Sequence, residues 1–158
     1  MSTPKRIVIP VDGSSHSEKA FEWYANNIHD KGSEVLVLHV QEPPIATSTP
    51  YPYGGTVLPS EWNAAVDKSI AESAKIIDFY NKKCHQMGVK CRLYKGNGKP
   101  GESICQLATD YDADQIVMGS RGCGTVRRTL LGSVSDYCVH HSGIPVTVIP
   151  PEHSNVNQ

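Results

Sequence analysis

A glycine-rich segment with three arginines could bind an anion. It runs from Met118 to Ser135 and reads MGSRGCGTVRRTLLGSVS. Glycines let a backbone turn tightly and approach a ligand, because they carry no Cβ. The segment ends where a helix is predicted to start, and a helix N-terminus offers unpaired N–H groups and a positive dipole end to phosphate. The segment therefore predicts an anion site; the alternative is a surface loop followed by an ordinary serine cap.

The elements around this segment alternate between short apolar runs and helical stripes. Apolar runs at 7–11, 35–40, 89–94, 115–118 and 146–149 predict five strands, with helical patterns between them. Ser15 and Glu18 form a capping box that predicts a first helix from about His16. Strand runs without alternation are buried on both faces. The order predicts a single doubly wound α/β domain: a five-stranded parallel sheet with helices on both faces, which binds ligands at its carboxyl edge.

Three regions lie outside this simple alternation. A Pro-rich stretch from Gln41 to Pro59 is too long for an ordinary connection, and its role stays open. The helical stripe that follows, from Trp62 to Met87, is interpreted as packing against the core. The domain is predicted to span 1–151, and 152–158 to form a polar C-terminal tail.

Composition argues against several classes of function. The formal net charge is −1, so the field of the whole protein attracts neither nucleic acid nor a membrane. The cysteines contain no C-x-x-C pair, which disfavours a zinc ribbon or a redox motif. No apolar run approaches the length of a membrane span, and the polar start has no signal-peptide core. We therefore expect a cytoplasmic protein with neither a nucleic-acid nor a membrane partner.

A second glycine pattern, Gly96-x-Gly98-x-x-Gly101, matches the dinucleotide-binding fingerprint. The next strand ends in glycine and serine instead of the acid that the fingerprint needs, and Pro100 removes an N–H that a pyrophosphate would use. A dinucleotide role is therefore disfavoured. No metal site and no Ser/His/Asp or Cys/His catalytic set has a recognisable local context, so no catalytic or metal-binding residue is predicted.

The pattern Gly119-x2-Gly122-x9-Gly132-Ser133 resembles the nucleotide-binding signature of the ATP-binding branch of the universal stress protein family. The stretches PVDGS at 10–14, LHV at 38–40 and GIPV at 143–146 resemble that family's strand ends, in the same order. The resemblance thus covers nearly the whole chain.

The resemblance implies a Rossmann-like fold, similar to the adenine nucleotide alpha hydrolases, that binds ATP with Mg²⁺. It implies that Asp12 and the backbone of Val40 hold the adenosine, although Asp12 could also serve only as a turn residue beside Gly13. Met118 would pack on the base, and Gly119 would approach the ribose. The phosphates would receive backbone and hydroxyl contacts from Gly122, Gly132, Ser133 and Val134, and Arg121 or Arg127 is added because its charge could screen the phosphates. The expected site residues are Pro10, Asp12, Val40, Met118, Gly119, Arg121, Gly122, Arg127, Gly132, Ser133 and Val134.

Three functions remain open at this point. The protein could be a nucleotide-dependent regulatory protein of the stress response. It could instead be a slow ATPase or a nucleotidyl- or phosphoryl-transfer enzyme, although no residue is recognisable that would orient an attacking water. It could also be a dimeric scaffold with a degenerate pocket. The resemblance implies a homodimer that forms through the last strand, Val146 to Ile149, which is predicted at the sheet edge.

Overall fold

The computed structural model describes residues 3–44, 59–120 and 131–151. Parallel strands form a five-stranded sheet in the order β3-β2-β1-β4-β5, so β5 lies at an edge. The predicted doubly wound α/β fold is confirmed. In chain order the elements are β1 (Arg6–Val11), α1 (Ser15–Asn27), β2 (Glu34–Gln41), α2 (Pro59–Met87), β3 (Cys91–Asn97), α3 (Pro100–Asp110), β4 (Gln115–Gly119), α4 (Ser133–His141) and β5 (Val146–Ile149).

Helices cover both faces of the sheet, and each face has its own apolar core. Alternate residues of a strand point to opposite faces, so β1 sends Ile9 into one core and Val8 into the other. The first core contains Phe21 of α1 and Tyr80 of α2. The second contains residues of α3 and α4, among them Ile104, Ala108 and Cys138.

The ladder between β1 and β4 is short. β1 pairs with β2 at six positions, from Arg6 to Val11, but with β4 only at Ile7 and Val8. The chain runs outward from β1 in both directions, so the boundary between β1 and β4 is the topological switch point of the sheet. Because β1 and β4 stop pairing early, a crevice opens between their carboxyl ends.

Several predicted boundaries differ from the structure by one to three residues. Helix α1 begins at Ser15, and its N-cap is Ser14, whose side chain accepts a hydrogen bond from the Ser17 amide. The predicted cap at Ser15 is wrong because neighbouring serines can all cap a helix and sequence does not rank them. Strand β3 begins at Cys91, two residues after the predicted start.

Helix α2 differs more from the prediction. Its C-terminal half packs on the sheet through Tyr80 and Cys84, as expected. Its N-terminal part does not, since Trp62 is 39% exposed and Ile70 is 46% exposed. The polar contacts of α2 with the end of β2, described below, involve Ser69 and Ser73, so the residues before them extend beyond the carboxyl edge of the sheet. The interpretation of the whole stripe as core packing is therefore wrong for this part.

A disulfide joins Cys84 near the end of α2 to Cys91 at the start of β3. The sequence does not predict this disulfide, because a spacing of seven residues matches no recognised cysteine motif. Most of the Pro-rich stretch and the predicted tail at 152–158 lie outside the described residues, so the domain bounds stay a prediction. Across the described ranges, none of the helices combines the length and apolarity that a membrane crossing requires.

Candidate functional site

A cavity of about 460 Å³ opens at the carboxyl edge of the sheet. The ends of β1, β2 and β4 form its floor, α2 and the start of α3 contribute walls, and the first turn of α4 closes one side. This is the crevice between β1 and β4, where open α/β sheets bind their ligands. Sequence and topology therefore indicate the same place.

Asp12 holds the turn between β1 and α1. Its Oδ1 accepts hydrogen bonds from the amide of Ser14, at 2.8 Å, and from the Ser14 hydroxyl. The amide of Asp12 donates a hydrogen bond to the hydroxyl of Ser17, at 3.1 Å. The Ser17 hydroxyl in turn lies 3.1 Å from the hydroxyl of Tyr80. Burial raises the pKa of Tyr80 above the ordinary value of a tyrosine. The predicted turn role of Asp12 is confirmed, and one carboxylate oxygen is left without a hydrogen bond among the described residues.

Polar contacts fasten α2 to the end of β2. His39 is 6% exposed, and its Nδ1 lies 3.0 Å from the carbonyl oxygen of Val11. A carbonyl only accepts, so Nδ1 carries the proton, and in the neutral ring the hydroxyl of Ser73 donates to Nε2 across 3.0 Å. Gln41 Nε2 donates to Ser69 Oγ at 3.0 Å. These bonds hold α2 over the cavity as a wall.

The N-terminus of α4 faces the cavity from the other side. Gly132 is its N-cap and gives no side-chain cap, and the first intrahelical bond runs from the Asp136 amide to the Gly132 carbonyl, at 2.9 Å. The amides of Ser133, Val134 and Ser135 precede that bond and have no intrahelical acceptor. Ser133, Val134 and Ser135 all line the cavity. The first turn of α4 thus presents hydrogen-bond donors and a positive dipole end to any anion bound there.

The structure brings together every predicted site residue that it describes. Apolar side chains from Val40, Met118 and Val134 pack with the second core, and the rest come from strand ends and the start of α4. Three predicted site residues, Arg121, Gly122 and Arg127, lie outside the described residues. The predicted residues that line the cavity are Pro10, Asp12, Val40, Met118, Gly119, Gly132, Ser133 and Val134.

Sequence reasoning missed other residues of the cavity. Ser73 of α2 has no motif around it, and only its bond to His39 shows its place. Ser120 stands inside the recognised glycine signature but was not assigned a role. Its hydroxyl is buried and has no hydrogen-bond partner within the described ranges. Over the same ranges, no cluster of three His, Cys, Asp or Glu side chains is arranged to hold a metal ion.

Comparison with known proteins agrees with this geometry. Residues 3–150 match the model of the universal stress protein family. A universal stress protein A-like protein of Arabidopsis thaliana is 27% identical, over 94% of this chain and 91% of its own length. Universal stress protein Rv2005c of Mycobacterium tuberculosis is 30% identical over 94% of this chain, but the match covers only 50% of the mycobacterial protein. This chain therefore spans about half of that relative.

Solved structures share the whole fold. The structure of the hypothetical protein MJ0577 superposes with a TM-score of 0.79 at 26% identity, covering 97% of this chain and all of that one. The universal stress protein UspA from Lactobacillus plantarum has a TM-score of 0.74 at 22% identity, covering 94% of this chain and 99% of its own. Because the family model matches residues 3–150 of the chain's 158, and because the cavity lies at the switch point of the sheet, this chain belongs to the universal stress protein family.

Proposed function

We propose that this protein binds ATP with Mg²⁺ in the cavity at the carboxyl edge of the sheet and acts as a nucleotide-dependent regulatory protein of the stress response. The observation that carries the proposal is the meeting of the predicted site residues around one cavity, with the first turn of α4 at one side. A regulatory binder needs a site that is occupied or empty according to nucleotide supply, and it needs no catalytic group.

The two sides of the cavity suit the two ends of a nucleotide. Val40 and Met118 offer apolar surface for a base, and Asp12 has a carboxylate oxygen left to accept a hydrogen bond from a ribose hydroxyl. The free amides of Ser133 and Val134 suit phosphate oxygens. The described residues provide no ligand cluster for a resident cation. Mg²⁺ is therefore expected to arrive with the polyphosphate, as it often does in nucleotide sites.

Related proteins support testing several nucleotides. A universal stress protein family member from Arabidopsis thaliana, 24% identical to this chain, has been solved with AMP bound. Another universal stress protein, 20% identical, has been solved in complex with cAMP. AMP and cAMP therefore belong among the test ligands beside ATP and ADP. ATP is expected to bind more tightly than AMP or cAMP if the α4 terminus and the glycine-rich segment contact the polyphosphate.

The decisive experiment is titration calorimetry with ATP, ADP, AMP and cAMP, with and without Mg²⁺, alongside a phosphate-release assay on the same sample. We expect ATP to bind most tightly, Mg²⁺ to improve its affinity, and turnover to fall well below the roughly 1–1000 per second of ordinary enzymes. Equal affinity for all four nucleotides would remove the phosphate role of the α4 terminus. Phosphate release at ordinary enzyme rates would replace the regulatory proposal with an ATPase.

A pair of valine variants locates the site. Gly132→Val places a branched side chain at the N-cap of α4, where the backbone has to approach phosphate, and we expect it to abolish ATP binding. Gly32→Val is the matched control, because Gly32 is exposed and is not among the residues that line the cavity. Circular dichroism checks that both variants fold. Undiminished binding by folded Gly132→Val would place the phosphates elsewhere.

We further propose that the protein forms a homodimer through β5. This strand is at the sheet edge, and each of its four residues is only half-buried within one chain. A short apolar edge strand is a template for pairing with a second copy. Val146→Asp should weaken a dimer seen by light scattering, whereas Val139→Asp, at an exposed position on α4, should not. A wild-type monomer at micromolar concentration would contradict this proposal.

A further inference from the structure

A second cavity lies at the amino edge of the sheet, on the face that α1 covers. Its volume is about 330 Å³, and its walls include Trp23, Ile28, Gln115 and Thr147. Trp23 is 38% exposed and Ile28 is 42% exposed, so two large apolar side chains border this cavity in contact with water. Gln115 Nε2 donates a hydrogen bond to the Thr147 hydroxyl at 2.5 Å, which satisfies that hydroxyl within the chain. The cavity therefore has an apolar border that one chain leaves uncovered.

The two flanks of α1 face different neighbours. Phe21 is buried against the sheet. Glu18 and Glu22 form ion pairs with Lys83, so their flank faces α2. Trp23 lies about 120° around the helix from these glutamates, on the flank that faces away from α2. Because α2 covers β2 and β3, and the sheet continues on the other side through β1 and β4 to β5, the Trp23 flank overhangs the β5 edge.

The free backbone groups of β5 determine how a second copy can pair with it. The carbonyls of Pro145 and Ile149 accept hydrogen bonds from amides of β4 and of the residue that follows it, at 2.9 and 3.0 Å. Backbone groups alternate in direction along a strand, so those of Val146 and Val148 point away from β4. Edge strands related by a two-fold axis pair antiparallel. The register that uses all of these groups, and no proline, sets Val146 opposite Val148 of the partner subunit.

This register brings the partner's Ile149 to the cavity at the amino edge. Ile149 packs with the first core, so it lies on the face of the sheet that α1 covers. Opposing residues of an antiparallel pair share a face, and the partner's Ile149 then lies opposite Pro145, beside the end of β5 that Thr147 and Trp23 border. We infer that Trp23 packs over the paired β5 strands against the partner's Ile149, which completes the amino-edge cavity. The inference rests on the homodimer proposed above.

Trp23→Ala tests this contact against a matched control. The chain has two tryptophans, and Trp62 of α2 is 39% exposed, almost the same as Trp23. Aromatic anchors carry much of the binding energy of an interface. We expect Trp23→Ala to raise the dissociation constant of the dimer, measured by sedimentation equilibrium, by about tenfold or more. Trp62→Ala should leave it unchanged, and circular dichroism checks that both variants fold.

Fluorescence tests the same contact with the Trp23 side chain in place. Trp62→Phe leaves Trp23 as the only tryptophan. Its emission should move to shorter wavelength over the concentration range in which the dimer forms, because the partner removes water from the indole. Trp23→Phe leaves only Trp62, whose emission should stay constant over that range. This measurement decides the inference even if Trp23→Ala does not fold.

The outcomes separate this inference from the proposals above. If the wild type stays monomeric, the proposed homodimer fails and this inference fails with it, whereas the proposal of ATP binding is unaffected. If the wild type dimerises and folded Trp23→Ala dimerises as tightly, only the inference is overturned. It is likewise overturned if the emission of Trp23 does not change while the dimer forms, since β5 then pairs without any contribution from α1.

Discussion

Gly101 stands where α3 and α4 touch, and its replacement by alanine gives a strong test of the packing. A Cβ at this position would lie 2.6 Å from Cδ1, 2.9 Å from Cγ and 3.2 Å from Cβ of Tyr137. A change in χ1 of Tyr137 would move Cδ1 and Cγ away but not Cβ, so the two helices have to move apart by a few tenths of an ångström. Gly101 is also the third glycine of the dinucleotide-like pattern, and its contact with Tyr137 accounts for a glycine there without any ligand.

The size of the effect follows from two opposing contributions. Overpacking a well-filled contact costs about 1–3 kcal/mol. Alanine is favoured over glycine inside helices by up to about 1 kcal/mol, but position 101 is the second residue of α3, where the gain is smaller. We expect Gly101→Ala to lose about 1–2 kcal/mol of unfolding free energy and to lower the Tm by about 2–8 °C.

Denaturant unfolding followed by circular dichroism measures this loss. Gly96→Ala is the matched control, because its new Cβ would be no closer than 3.4 Å to a neighbour, and a change below about 0.5 kcal/mol is expected. In a Tyr137→Ala background the cost of Gly101→Ala should shrink but not vanish, since the ring atoms are gone while the 3.2 Å contact with Cβ of residue 137 remains. A Gly101→Ala protein as stable as the wild type, or a cost unchanged without the tyrosine ring, would refute the reasoning.

Two further predictions concern the stability of α2. The Cys84–Cys91 disulfide closes a short loop, so reduction should cost about 2.5 kcal/mol in the chain-entropy estimate and lower the Tm by about 5–10 °C. A Cys84→Ser/Cys91→Ser variant should show no response to dithiothreitol. Burial lowers the pKa of Lys83, but hydrogen bonds to Glu18 and Glu22 outweigh it, and the net pKa is raised above 10.5. The protonated lysine therefore adds stability below pH 10.5 that is lost as the pH rises through the raised value. Lys83→Met should lower the free energy of unfolding by at most about 1 kcal/mol, because both carboxylates are partly exposed. In pH-dependent unfolding curves, this difference from the wild type should shrink as the pH rises through the raised pKa of Lys83.

The sequence predicted the sheet well because parallel strands that are buried on both faces appear as short, continuous apolar runs. The strand at 146–149 was placed at the edge, and the structure has it there. The start of α1 was missed by one residue, since the choice between Ser14 and Ser15 depends on where Asp12 turns the chain. The exposed half of α2 was missed because periodicity shows which residues share a face, not whether anything covers that face.

The candidate site was predictable where backbone geometry has a sequence signature. Glycine followed by serine at the start of α4 predicts an anion site, and Gly132 and Ser133 line the cavity. The polar bridge from His39 to Ser73 carries no such signature, because it joins residues 34 positions apart that only the fold brings together. The unpaired hydroxyl of Ser120 was invisible for the same reason, as pairing is a property of the folded environment.

The short ladder between β1 and β4 is the line along which the sheet is held by the fewest paired positions. At the amino edge the seam is fastened, because the Asp114 amide donates to the Arg6 carbonyl and the Arg6 amide donates to Asp114 Oδ2, each at 2.8 Å. At the carboxyl edge the seam is open, so any relative motion of the two halves grows towards the cavity. We expect sub-global opening to begin along this line, where the ladder is short, before β1 and β2 separate. A ligand that contacts both β1 and β4 at this edge would hold the two halves of the sheet together. Its binding free energy would then add to the protection of the β4 amides against hydrogen exchange.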